Sequence, residues 1–246
     1  MGRDEFLEAA APLIGEVGSA FYFAPETLAT GKDIGLDGFR YYFLGRGGVL
    51  GDVEAPVVAS AFGYFKPSVV AAMWDSGRER CGRSPREVGR SYLACCHELG
   101  RSRYADVDDL AGLCAAAAAV DDAADNAGLA LYAAISAEPR PDDLPARAAH
   151  LVAVLRELRG SAHLLAVRAS GLAPRVAHCI KRPDDFAAFG WGEDERPTVT
   201  EADREALDRA EDLTDQIVAP AFAVLDDAGR STLLSGLRQM QARLAG

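Results

Sequence analysis

The sequence predicts an all-α protein, on three observations. Apolar residues recur with a period near 3.6 along most of the chain. No stretch alternates convincingly with period two, and proline, glycine and short polar residues fall between the periodic segments. Helices are expected over 4–20, 37–46 and 54–77, the last interrupted at Pro67, then 84–100, 107–125, 143–169, 173–181, 200–225 and 228–244. The first three rest on periodicity. The fourth and fifth also have start signals: Ser84-Pro85 and Asp106 supply a capping oxygen, and a proline at the first helical position has no amide to lose. Gly100, Gly128 and Gly171 are expected stops, since glycine tolerates the left-handed turn that ends a helix. The segment AEPRPDDLP, 137–145, carries three prolines and must leave the helical conformation before the long helix at 143. GWGEDERPTVT, 190–200, reads as a polar turn ahead of the last two helices.

These breaks divide the 246 residues into an N-terminal helical domain, 1–140, and a second domain, 141–246, with no internal repeat. Hydrophobic residues at 49% and charged ones at 26% describe a chain able to bury a core without metal or disulfide help. No apolar run is long enough to cross a bilayer, and MGRDEFLEAAAPLI has acids where an export signal needs basic residues, so a cytoplasmic location without membrane contact is expected. The five cysteines form no CxxC pair and no zinc-like spacing with histidine, so they read as buried free thiols and no metal is expected.

The net charge of −11 repels a polyanion unless basic residues are segregated, and they partly are. Seven arginines face three glutamates between 78 and 103, whereas 183–215 holds twelve acids against three arginines. Aromatic residues are also uneven, twelve of nineteen falling before residue 75. Most belong in a core, but the phenols of Tyr41, Tyr42 and Tyr64 also suit the wall of a mixed pocket.

Two stretches carry candidate chemistry. VDDAADN, 120–126, contains a DDxxD run of the kind that holds magnesium against a diphosphate in isoprenoid synthases, but the second metal-binding run that such chemistry needs is absent. Asp121, Asp122 and Asp125 would still crowd the last turn of a helix, where the macrodipole disfavours acids. A cation should therefore sit opposite, from the arginines of 78–103 or from 156–163. The second stretch is LRELRGSAHLLAVRASGL, 155–172. Leu151, Leu155, Leu158, Ala162 and Leu165 form its apolar stripe, while Arg156, Arg159 and His163 share another face with Gly160 beside them. The row is either a structural ion cluster, with Arg156 paired to Asp142 or Asp143, or one wall of a site. His97, His150 and His178 have no telling neighbour in the sequence.

YFAPE (22–26), GLDGFRYYFLGRGGVLG (35–51), AGLALYAAISAEPRPDD (127–143) and the 155–172 stretch together resemble actinobacterial SalK-like proteins, a group labelled helix-turn-helix or MarR-related. The resemblance covers most of the chain in the same order. Where that family reads LREHRGDGHVAALVAAGL, Arg156, Glu157, Arg159, Gly160 and His163 match, while Leu158, Ser161 and Ala162 replace a histidine, an aspartate and a glycine. The tail from Thr198 resembles the end of MarR-like proteins, which implies a helical second domain with a reduced winged-helix remnant and dimerising helices. Only six residues separate Trp191 from Thr198, and the acidity of 183–215 disfavours nucleic acid.

The resemblance implies specialised-metabolite (antibiotic) biosynthesis, including aziridine ring closure of the azinomycin type. On that reading the protein is a cofactor-free enzyme, or a subunit of one, acting on a small anionic metabolite. Arg156 and Arg159 clamp an anionic leaving group, His163 neutralises developing charge, and Glu157, Asp121 or Asp125 takes the amine proton. Tyr41, Tyr42 and Tyr64 wall the cavity. Two alternatives stand beside it: a degenerate MarR-like regulator that senses a metabolite, and a non-catalytic partner of a related chain in a homodimer or heterodimer.

Overall fold

A computed structural model describes residues 2–244. Twelve α-helices account for most of them: α1 (Arg3–Ser19), α2 (Pro25–Asp33), α3 (Gly38–Gly48), α4 (Ala55–Phe62), α5 (Pro67–Cys81), α6 (Pro85–Arg103), α7 (Leu110–Ala123), α8 (Ala130–Ser136), α9 (Leu144–Ala169), α10 (Pro174–Lys181), α11 (Glu201–Phe222) and α12 (Asp227–Ala242). Among the described residues there is no strand, and the chain is all-α as expected. Residues 183–195, beside the place expected for a winged-helix remnant, form three single 3-10 turns.

Local chemistry explains most boundaries. Ser84 caps α6 in a reciprocal box with Glu87, and the Asp143 side chain accepts the Ala146 amide at the start of α9. Gly171 takes positive φ just past α9, as expected of a helix stop, and Gly128 takes positive φ in the turn between α7 and α8, beyond the C-cap Ala124. Three expectations fail locally. The α7 start lies at Asp109, not Asp106; Asp109 takes φ 49° and accepts the Gly112 amide. Gly100 does not end α6, because it is the point where α9 crosses: a Cβ there would run into the Pro145 carbonyl oxygen and Ala149. The helices α2 and α8 had no periodic signal, being only nine and seven residues long.

The helix α9 is the spine. It packs on α1, α6, α7, α8, α10 and α11, and in its first half the run from Ala148 to Leu155 is buried on every side. Leu151, Leu155, Leu158 and Ala162 of the expected stripe are buried, whereas Leu165 is exposed. One apolar core runs from Phe6 to Met240 and takes in α9 together with α1, α3, α6, α7 and α12. The division at residue 140 therefore has no counterpart in this core, because α9 cannot leave α1, α6 and α7 without exposing its buried face. A smaller cluster joins the end of α9 to α10 and the first half of α11 through Ala166, Val167, Leu172, Ala177, Leu207 and Ala210. The second half of α9, which carries Glu157, Arg159 and His163, spans the seam between the two clusters.

Candidate functional site

A cavity of about 790 Å³ opens along that seam. Its floor is the face of α9 carrying Arg156, Gly160, His163 and Leu164, the first three each about one turn from the next. The aromatic wall comes from Phe23, Phe39, Tyr42, Phe62, Phe65 and Phe189, and the far end from Tyr64, His178, Lys181, Arg182 and Asp185. Among the lining residues, Arg46, Arg156, Lys181 and Arg182 face a single acid, Asp185. The hollow is therefore cationic over an aromatic body, a combination that suits a negatively charged ligand with a flat apolar part.

The cationic end is built on one buried carboxylate. Glu157 is 2% exposed and accepts four hydrogen bonds. Arg46, one turn beyond Tyr42 on α3, holds both its oxygens, Nε to Oε1 and Nη2 to Oε2 at 2.8 Å each. Tyr22 Oη donates to Oε1 at 2.7 Å and Arg156 Nη1 donates to the same atom at 2.7 Å. The third nitrogen of Arg46, Nη1, donates to Tyr42 Oη at 3.0 Å. Its guanidinium also lies 4.5 Å from the Phe62 ring centre, and that of Arg156 4.8 Å from the Tyr22 ring centre. Two guanidiniums against one carboxylate leave an excess positive charge, and Nε and Nη2 of Arg156 have no acceptor among the described residues. Burial works to raise the Glu157 carboxyl, but Arg46 and then Arg156 outweigh it and hold it at about 2. So strongly held a carboxylate is a poor proton acceptor at neutral pH, and the role of base assigned to Glu157 does not fit its surroundings.

At the other end, His163 Nδ1 lies 3.0 Å from Thr214 Oγ1 on α11, and its Nε2 lies 3.8 Å from Glu211 Oε1. Burial pushes this imidazole down to about 4, with Glu211 pulling the other way. A neutral imidazole cannot neutralise developing negative charge as a cation, the role expected for it. Tyr64 stacks on His163 at 6.3 Å between ring centres, and burial raises its phenol. Tyr64 Oη, His163 Nε2 and His178 Nε2 are all buried without a hydrogen-bond partner, and all three residues line this cavity.

The structure brings Arg156, His163, Tyr42 and Tyr64 to one cavity and sends the other expected residues elsewhere. Arg159 faces α11, its Nη2 3.2 Å from Asp215 and 3.5 Å from Glu211, and does not line the hollow. Tyr41 turns to α6, where its hydroxyl lies 3.1 Å from Ser91 Oγ. Asp121 is fixed by Arg140 at 2.5 Å, Tyr132 at 2.9 Å and Ser136 at 2.8 Å, so the cation opposite the acids is Arg140 of the proline-rich link. Asp125 lies beyond the end of α7 and caps the Ala127 amide. Neither aspartate lines the cavity. Part of the basic 78–103 run is also paired within the fold, with Arg78 on Asp52, Arg86 and Arg90 on Glu138, and Arg101 on Asp143. Asp143 is thereby unavailable to Arg156. Sequence reasoning missed Arg46, Tyr22, Phe62, Phe65, Lys181 and Arg182; only Arg46 left a signal, and a weak one, as one of two cations on α3, the other being Arg40.

The chain belongs to a helix-turn-helix family, whose family model matches residues 8–188. That span contains every cavity-lining residue except Phe189 and ends before α11. Neither the curated proteins nor the solved structures give a match.

Proposed function

We propose that the protein binds a small anionic metabolite with an apolar, flat body in the α9 cavity and acts on it as a cofactor-independent enzyme of natural-product biosynthesis. The observation that carries this reading is the charge stoichiometry at Glu157. Arg46 saturates the carboxylate and fastens the cluster, and the remaining donors of Arg156 are left for an anion at the end of an aromatic trough. The cationic pair is Arg156 with Arg46 behind it, in place of Arg156 with Arg159. The resemblance to SalK-like proteins extends the reading to a displacement within one substrate, such as aziridine closure, with an anionic leaving group received at Arg156.

The test is calorimetric titration with 7-hydroxycoumarin-4-acetate, which pairs a carboxylate with a flat ring. Binding to the parent chain is expected, with Arg156→Met weakening it about tenfold or more and Arg159→Met leaving it within about twofold. Equal losses in both variants, or no binding to the parent, would end this reading.

Membership of a helix-turn-helix family favours a second reading, a regulator that senses the same metabolite. Against it stand the net charge of −11 and the acidity of 183–215. Gel-shift titration at low salt against promoter DNA from the chain's own locus separates the two, since sequence-specific retardation at nanomolar protein belongs only to the regulator.

A further inference from the structure

The hydrogen-bond chain behind His163 fixes which of its nitrogens carries the proton. Thr214 Oγ1 donates its single hydrogen to the Ala210 carbonyl oxygen at 2.6 Å, the back-bond of a threonine inside a helix. That hydroxyl is then left with lone pairs toward His163 Nδ1 at 3.0 Å, so Nδ1 must be the donor. In the neutral ring that burial enforces, Nε2 is consequently a bare lone pair. Nε2 is buried, has no hydrogen-bond partner, and belongs to a side chain lining the cavity.

We propose that His163 is the proton acceptor of this cavity, with Thr214 as the positioning residue that keeps its proton on Nδ1, and that the substrate presents an N–H or O–H donor to Nε2. The inference rests on the proposed anion seat and adds the second pole of the substrate. Arg156 and His163 lie seven residues apart on one face of α9, about 10 Å along the helix axis. The substrate is therefore an elongated molecule with an anionic group at one end, an apolar middle against Phe62, Phe65 and Phe189, and an N–H or O–H group at the other. The step balances simply: the X–H bond breaks, its electron pair stays on X, and a new N–H bond forms at Nε2. The imidazolium so formed lies against Glu211, whose charge is shared with Lys181 and Arg159. A base of low proton affinity serves here because a proton becomes strongly acidic once its carrier atom begins to bond to carbon.

The experiment is nitrogen NMR on the full chain with labelled histidine, the His163 resonances identified through His163→Gln. At pH 7 the neutral, Nδ1-protonated ring is expected. Thr214→Val should mix the tautomers and Thr214→Ser restore the parent pattern. Saturating 7-hydroxycoumarin-4-acetate should move the Nε2 resonance toward its protonated value, while the 7-methoxy analogue, which lacks the O–H, binds without that shift. Three results overturn the inference: an Nε2-protonated or cationic ring at pH 7, an unchanged tautomer in Thr214→Val, or identical Nε2 responses to the two bound coumarins. Failure of either coumarin to bind counts instead against the anion seat, and so separates the two proposals.

Discussion

Two buried carboxylates on neighbouring helices meet arginine in opposite proportions. Asp121 on α7 and its exposed neighbour Asp122 share the single cation Arg140, and Tyr132 and Ser136 complete the bonding of Asp121. Glu157 on α9 is shared by two cations, Arg46 and Arg156. The first cluster is closed and carries an excess acid, some of it in water. The second carries an excess cation, and Arg156, which keeps spare donors, lines a hollow. Buried ion pairs of either kind contribute little net stability, because desolvation offsets their attraction. What distinguishes a site from a fastener is therefore the charge and the donors left over after pairing.

The contrast can be broken most directly by removing the carboxylates. Glu157→Leu strips counter-charge from two guanidiniums in the low-dielectric seam and should destabilise the protein by about 3–5 kcal/mol, read by urea unfolding. Acid should act next, and on the histidines before the carboxylate. His97 and His150 pair across α6 and α9, Nε2 to Nδ1 at 3.1 Å. Burial, then Arg101, holds His97 at about 4, and burial, then His97, holds His150 at about 3. Because the unfolded chain binds these protons first, stability falls as pH drops below about 6.5 and stops falling once pH is below the folded values. His150→Leu should remove roughly 2 kcal/mol of that loss, seen by comparing unfolding at pH 7 and pH 4. Glu157 works in a lower window: its depressed folded value stabilises the protein above about pH 4.3, a contribution lost as pH falls through about 2. An unfolding curve that is flat between pH 7 and 4 would contradict the buried, neutral state of the histidines.

Asp121→Asn should cost less than Glu157→Leu, about 1–2 kcal/mol, because Arg140 is partly in water and keeps Asp122. The smallest effect sharpens the contrast best. Arg140→Met should leave coumarin-acetate affinity within about twofold, whereas Arg156→Met lowers it about tenfold or more. If the two arginines matter equally to binding, the distinction between closed and open clusters fails.

The helices and the polar row of α9 were legible in the sequence because both are local properties. Nine helical segments follow from apolar periodicity and end signals, and the 155–172 row follows from spacing alone. The expected partners were wrong where the sequence offered proximity in place of stoichiometry. DDxxD is prominent as a string, yet Arg140 and Tyr132 close it. Arg159 lies one turn from Arg156, yet the two point to different neighbours, α11 and the cavity. Tyr41 and Tyr42 are adjacent, and the helical turn of about 100° per residue sends one to α6 and the other to the aromatic wall.

By itself the sequence determined that this chain is helical, that a long helix begins after the proline-rich link, and that one face of it carries arginine and histidine. Tertiary structure alone decided that Arg46 meets Glu157 across 111 residues and that Thr214 reaches His163 across 51. The physical reason is range. Helix formation follows from contacts three or four residues apart, which leave a period in the chain, whereas the pairing of charges and the tautomer of an imidazole depend on groups brought together only by packing.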